Sequence, residues 1–107
     1  MNYDELKAGQ ELDALIAVKV MGLPAETGHF MIHAPIYLPY STNISSAWEV
    51  VEKIKTPNIR IEIQMPFGDN RWICWISNLK KGTIGGAGAD CAATAICRAV
   101  LKAKETP

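Results

Sequence analysis

Apolar residues near the amino terminus recur every three or four positions, which is the spacing of an amphipathic helix. They predict a first helix from Tyr3 to Met21, which Gly22 ends. Gly9 weakens the interior of such a helix by about 1 kcal/mol, so a start after Gly9 is the alternative. The next stretch, from Leu23 to Tyr40, is interrupted by three prolines. Within it, Phe30–His33 is predicted to form at most a short edge strand.

A second apolar stripe predicts a helix between two boundary signals. Ser41, Thr42 and Asn43 can cap its first turn. The Thr56-Pro57 pair ends it, because a residue that precedes proline avoids helical geometry. The stripe that we expect to face the core consists of Ile44, Ala47, Trp48, Val51 and Ile54.

Apolar and polar residues alternate strictly between Asn58 and Met65, which predicts a strand with one dry and one wet face. A predicted turn over residues 66–70 leads to a second strand from Arg71 to Ser77, and the two strands are expected to pair as a hairpin. Both faces of the second strand are largely apolar. We therefore expect it to lie at the centre of the sheet, covered on both sides.

A glycine-rich stretch from Gly82 to Ala89 precedes the third predicted helix. It is interpreted as a connection that leads into the N-cap residue Asp90 and a helix from Cys91 to Lys104. With the elements above, the sequence predicts one domain over residues 1–107. The fold class is α+β, an α–β–α sandwich in which helices cover both faces of a small antiparallel sheet.

The charge balance of the chain bears on its partners. Eleven basic and eleven acidic residues give a formal net charge of zero. Binding to DNA or RNA needs a positive field, so neither is an expected partner. Charged residues make up only 21% of the chain, which indicates either a large core or a partly apolar surface. An apolar surface would favour the homo-oligomer that we expect. No apolar run approaches the roughly 20 residues that span a bilayer, so no membrane partner is expected.

Cysteine and histidine residues offer little chemistry in this sequence. Cys74, Cys91 and Cys97 are odd in number and form no Cys-x-x-Cys pair, so they are interpreted as reduced residues in or near the core of a cytosolic protein. His29 and His33 lack a third ligand, so neither a metal site nor a cofactor is expected. No spacing predicts a pair of titratable groups for acid–base catalysis, and we therefore expect neither catalytic residues nor an enzyme.

Aromatic, arginine and glycine residues form the candidate ligand site. Trp75 can stack a base while the nearby Arg71 holds a phosphate, although packing between sheet and helix is the alternative. Backbone N–H groups of the glycine-rich stretch can approach a phosphate at a helix entry, and a flexible connection or an oligomer contact is the alternative. Tyr37 and Tyr40 lie in a proline-rich turn that can rim a pocket or an interface, or cover the core. The predicted ligand-binding residues are Arg71, Trp75, Tyr37, Tyr40, Gly85, Gly86 and Gly88.

Three segments of the chain, Ala8–Gly22, Tyr40–Lys53 and Ala95–Ala103, resemble a known family when they are taken together. The second segment begins with Tyr-Ser-Thr at Tyr40 and continues into a predicted helix that contains Ala-Trp-Glu. The third segment begins with Ala-Ile-Cys-Arg-Ala at Ala95. In this order the segments resemble the phage ABA sandwich domain family. The resemblance implies an α–β–α sandwich encoded by a phage or prophage, and hence a location in the host cytoplasm. It implies no catalytic residues.

Two hypotheses of function follow from these observations. The first is a non-enzymatic binding protein that sequesters a small nucleotide-derived host defence signal, which would make it a counter-defence protein. The second is a phage accessory protein that acts by protein–protein interaction with a host or phage protein. An enzyme ranks third, because the sequence shows no catalytic set.

Overall fold

The computed structural model describes residues 3–23, 38–65 and 71–105. Its helices are a short 3-10 helix at Tyr3–Glu5, α1 at Gln10–Lys19, α2 at Ile44–Ile54 and α3 at Ala92–Glu105. Its strands are β1 at Ile59–Gln64, β2 at Trp72–Asn78 and β3 at Gly82–Ala89. Because α1 begins directly after Gly9, the later of the two predicted starts is correct. The short strand predicted at Phe30–His33 lies outside the described residues.

The sheet is antiparallel, with β2 between β1 and β3. The predicted hairpin and the central position of its second strand are therefore confirmed. The prediction for the glycine-rich stretch was wrong, because Gly82–Ala89 is not a connection but the third strand of the sheet. Its small residues remove the side chains that would hold a helix away from the strand, so that α3 lies close to the backbone of β3.

The core is built around α3. This helix packs directly on β2 and β3, while α1 and α2 pack against α3. Burial on several sides explains why α3 is rich in alanine and has eight buried residues among its fourteen. The described residues thus form the predicted α+β sandwich of helices and a small antiparallel sheet. On the face of β2 opposite Cys74 and Ile76, however, Trp75 remains 41% exposed, so cover on that face is incomplete at this position.

Two local predictions for the helices need correction. The α2 stripe was expected to face the core along its length, but Ile44 is 52% and Trp48 48% exposed. The buried residues Ala47, Val50 and Val51 lie on one side of α2. Ile44 and Trp48 lie at the margin of that side. Asp90 was expected to cap the third helix, but α3 begins only at Ala92 and Asp90 is exposed.

All three cysteines are free thiols, as the sequence predicts, and two of them are core residues. Burial raises the pKa of the Cys74 thiol from 9.0 to about 12. It also raises the pKa of the Cys97 thiol, and the nearby carboxylate of Asp13 adds to that shift. Both thiols must therefore stay protonated as long as the core is intact.

The buried thiols predict how stability depends on alkaline pH. Above pH 9.0 the unfolded chain loses the protons of Cys74 and Cys97 while the folded chain keeps them. The free energy of unfolding should therefore fall with rising pH, by about 1 kcal/mol for each thiol between pH 9 and 10. Urea unfolding between pH 9 and 10 measures this slope. The double variant Cys74→Ala/Cys97→Ala should flatten it, and an unchanged slope would contradict the assignment.

Candidate functional site

The outer face of the sheet, opposite α3, brings together two of the side chains that the sequence singles out. The indole of Trp75 lies over Gly86, and the guanidinium of Arg71 lies over Gly88. A Cβ at Gly86 would collide with the six-membered ring of Trp75, and one at Gly88 would lie 3.1 Å from the Arg71 Nη2 atom. The two glycines thus provide the space in which an indole and a guanidinium lie close to the strand.

The spacing of these two groups follows from the strand. Gly86 and Gly88 are two residues apart on β3, which places the indole and the guanidinium about 7 Å apart along the strand direction. The indole is 41% exposed and Arg71 is also exposed. An aromatic ring and a cation therefore lie side by side on an accessible surface.

A cleft with a volume of about 470 Å³ continues from Arg71 toward the start of α3. Three cations line it, namely Lys7, Arg71 and Arg98. Two carboxylates, those of Asp4 and Asp90, also line it, but the Lys102 Nζ atom lies 2.7 Å from Asp4 Oδ1 and balances that charge. By formal charge, the residues that line the cleft hold one more positive than negative charge.

Two cations of α3 secure the free edge of the sheet next to this cleft. The Arg98 Nη1 atom donates to the Gly88 carbonyl at 2.9 Å, and its Nε and Nη2 atoms donate to the Leu6 carbonyl at 2.9 and 2.6 Å. One turn further, the Lys102 Nζ atom donates to the Gly86 carbonyl at 2.8 Å. These bonds fix the backbone of the two glycines beneath Trp75 and Arg71, and they hold the amino-terminal segment against α3.

A buried polar network holds the start of α3 in place on the other side of the cleft. The hydroxyl of Thr94 donates to the Ser41 carbonyl at 2.7 Å. The backbone N–H and the hydroxyl of Ser41 both donate to Asp13 Oδ1, each at 2.7 Å. This network joins α1, the entry to α2 and the first turn of α3, so the wall of the cleft is held by elements that are distant in sequence.

The remaining predicted site residues lie elsewhere. Gly85 is on the opposite face of β3, where it packs against the backbone of α3 at Ala99 and Ala103. Tyr40 is 2% exposed and is part of the core. Tyr37 lies outside the described residues. The structure therefore brings together Arg71, Trp75, Gly86 and Gly88 of the predicted set.

Sequence reasoning did not single out Lys7 and Arg98, although both line the cleft. Lys7 lies before α1 in a segment that was predicted to be helical, where a lone lysine is typical of a solvated surface. Arg98 carried a usable signal, since a charged residue between buried alanine and cysteine positions of a helix needs a specific partner.

Residues that could ligate a metal ion do not cluster in the described part of the chain. Residues 3–23, 38–65 and 71–105 hold no group of three or more His, Cys, Asp or Glu residues that could bind a metal ion. His29 and His33 lie outside these ranges. Among the helices described, none has the length and apolar character needed to cross a membrane.

Comparison with known proteins shows which family this chain belongs to. The chain is similar to a phage protein from Bacillus cereus ATCC 14579, whose crystal structure it matches with a TM-score of 0.72. The two are 24% identical over 94% of each chain, a likeness that shows a shared fold. A search of curated proteins finds no match. The family model of the phage ABA sandwich domain matches residues 14–101, and because this is most of the chain, the protein belongs to the phage ABA sandwich domain family.

Proposed function

We propose that this protein is a non-enzymatic binding protein for a small nucleotide-like ligand. The observation that carries the proposal is the pair formed by Trp75 and Arg71, an exposed indole beside a guanidinium, each seated on a glycine of β3. In this site the indole stacks against the base and the guanidinium binds a phosphate.

The cleft next to Arg71 supports the same ligand chemistry. Its positive balance, from Lys7, Arg71 and Arg98, suits a phosphate group bound next to the one that Arg71 holds. A volume of about 470 Å³ accommodates a small ligand but not a folded macromolecule. Because the chain as a whole carries no net positive charge, local cations must provide the attraction for phosphate.

The biological role that we propose is sequestration. A phage-family protein that binds a nucleotide-derived host defence signal without transforming it lowers the free concentration of that signal in the host cytoplasm. This role needs a tight site and no catalytic groups, which is consistent with a site composed of an indole, a guanidinium and flanking cations.

A thermal-shift screen tests the proposal. The panel holds cyclic dinucleotides, cyclic ADP-ribose-type molecules, NAD, ATP and simple sugars. A ligand at one hundred times its dissociation constant adds about 2.7 kcal/mol of stability, and each kcal/mol raises the midpoint by roughly 4–8 °C in a domain of this size. We expect a shift of about 10 °C or more with one nucleotide and none with the sugars.

Matched variants show whether a shift arises at this site. Trp75→Ala and Arg71→Ala should each reduce the ligand-induced shift. Trp48→Ala is the control, because Trp48 on α2 is 48% exposed and Trp75 is 41% exposed. This variant should leave the ligand-induced shift unchanged. A flat panel, or a shift that the Trp75 and Arg71 variants retain, would contradict the proposal.

A second candidate function rests on the exposed apolar ridge of α2. Ile44 and Trp48 are one helical turn apart and about half exposed, and Leu38 in the preceding segment is 45% exposed. Exposed apolar groups that are contiguous on a helix are typical of a surface that binds another protein. If this ridge is the functional surface, Ile44→Ser/Trp48→Ser should abolish capture of a phage or host partner while Trp75→Ala leaves it intact.

A further inference from the structure

The strand β1 forms an open edge of the sheet in the part of the chain that the structure describes. The sheet order places β1 at one end, next to β2 alone. At the opposite edge, Arg98 and Lys102 bond to the free carbonyls of β3. Within residues 3–23, 38–65 and 71–105 no segment pairs with the outer side of β1, so among these residues the backbone donors and acceptors along that side have no strand partner.

The pairing with β2 fixes which residues of β1 face this edge. The Leu79 N–H donates to the Asn58 carbonyl at 3.0 Å, and bonding alternates along an antiparallel pair. Arg60 and Glu62 therefore direct their backbone groups toward β2, as Asn58 does. The backbone N–H and C=O groups of Ile61 and Ile63 point away from β2 and toward the open edge.

The side chains of β1 are divided cleanly between its two faces. Arg60 and Glu62 are exposed on the outer face, where the Arg60 Nε atom lies 3.0 Å from Glu62 Oε1. Ile59, Ile61 and Ile63 form a row on the face that carries the helices, yet each remains only partly buried. The contacts of α3 with the sheet are mainly with β2 and β3, which leaves this isoleucine row short of cover.

We propose that β1 pairs antiparallel with β1 of a second copy of this chain, about a twofold axis at Ile61. The sequence around this position, Ile-Arg-Ile-Glu-Ile, places a cation and an anion symmetrically about the axis. Arg60 then lies opposite Glu62 of the second copy, and Glu62 lies opposite Arg60 of the second copy. Two three-stranded sheets join into one continuous sheet across the pair.

Charge selects this register among those that the backbone allows. Residues whose backbone N–H and C=O groups point toward the open edge must lie opposite residues of the same kind in the second copy. The twofold axis can therefore pass through Arg60, Ile61 or Glu62 but not between neighbouring residues. An axis at Arg60 or at Glu62 places two like charges directly opposite each other, which is destabilising. Only the axis at Ile61 places both charges opposite their complements, in pairs where side chains approach most closely.

The same register satisfies the backbone and the isoleucine row. Ile61 exchanges N–H···O=C bonds with Ile61 of the second copy. The Ile63 N–H donates to the Ile59 carbonyl of the second copy, while the Ile59 N–H keeps its own bond to the Thr56 carbonyl at 3.1 Å. The two isoleucine rows become one apolar stripe, which buries surface that each copy leaves partly exposed.

Charge reversal followed by mixing tests the proposal, with oligomeric state measured by sedimentation velocity. The wild-type chain should form a dimer whose fraction rises with concentration. Glu62→Arg places Arg opposite Arg, and Arg60→Glu places Glu opposite Glu, so each variant alone should weaken the dimer by about tenfold or more. Mixed together, the two variants match each charge with its opposite and should form a heterodimer of wild-type affinity.

The controls separate an interface from a folding defect. Glu52→Arg makes the same charge change on an exposed position of α2 and should leave the dimer intact. Far-ultraviolet circular dichroism reports whether each variant is folded, and recovery on mixing cannot come from misfolded chains. A wild-type monomer at every concentration, dimeric single variants, or a mixture that stays monomeric would each overturn the proposal.

Discussion

Replacing Asp13 with alanine should lower the free energy of unfolding by about 3 kcal/mol, the largest single effect that we expect. Asp13 is 8% exposed, and its Oδ1 atom accepts bonds from both the backbone N–H and the hydroxyl of Ser41. Alanine removes that acceptor and leaves a buried N–H without a partner, which costs more than the loss of a solvated hydrogen bond. Ser41 also accepts from Thr94, so the damage extends to the first turn of α3.

Urea denaturation with matched variants measures this effect. Asp13→Asn keeps an acceptor oxygen within reach of Ser41, so it should retain more than half of the stability that Asp13→Ala loses. Asp4→Ala removes an exposed carboxylate of the same type and should cost less than about 1 kcal/mol. Equal losses for Asp13→Ala and Asp13→Asn would show that the hydrogen bonds to Ser41 are not the cause.

Gly85→Ala should lower the free energy of unfolding by about 2–3 kcal/mol, because the added methyl group overpacks the contact between β3 and α3. The new Cβ would collide with the Ala99 carbonyl oxygen and lie 3.0 Å from the Ala103 backbone nitrogen. Both are backbone atoms of a long helix, so relief requires that α3 move as a whole. Thermal unfolding should show a midpoint lower by roughly 10 °C or more.

Gly88→Ala on the same strand is the matched control. The three atoms nearest to a Cβ there all belong to the guanidinium of Arg71, with Nη2 at 3.1 Å and Nε at 3.2 Å, and a flexible side chain can move aside. We expect a loss of less than about 1 kcal/mol, since the substitution also introduces a residue that suits a strand slightly better than glycine. If the two variants are equally destabilised, α3 is not held at the close approach to Gly85 that the structure shows.

The glycine-rich strand shows where sequence patterning fails and why. Residues 82–89 contain no β-branched residue after Ile84 and no alternation of apolar and polar side chains, so strand propensity argues against β3. The strand forms because tertiary contacts require small residues there. Gly85 admits α3 on one face, while Gly86 and Gly88 admit Trp75 and Arg71 on the other. Those requirements depend on packing that a single sequence does not display.

Elements with regular patterning were predictable. The alternation in β1 and the two apolar faces of β2 led to the observed hairpin and to the central place of β2. The position of the α2 stripe was predictable, but the exposure of Trp48 was not. Helical spacing identifies an apolar stripe, but it does not show how much of that stripe a neighbouring helix covers.

The candidate site was predictable only in part. Arg71 and Trp75 belong to one predicted strand, so their shared face follows from the alternation of side chains, although Arg71 lies one residue before the observed β2. Gly86 and Gly88 join them for a reason that differs from the predicted one, since they lie beneath the two side chains in a strand and not in a phosphate-binding loop. Arg98 joins the site through its bond to Gly88, and although its place among apolar helix residues indicates a specific partner, sequence spacing does not show that this partner is Gly88.

The most direct test of the proposed function follows the three indole N–H signals by ¹H–¹⁵N NMR while the nucleotide panel is added. Single Trp→Phe variants assign the signals of Trp48, Trp72 and Trp75. The proposed function predicts that one nucleotide shifts the signals of the Trp75 indole and of the Gly86 and Gly88 backbone amides, while the Trp48 indole signal stays unchanged. Spectra that no nucleotide alters, or shifts confined to residues away from Trp75 and Arg71, would contradict it.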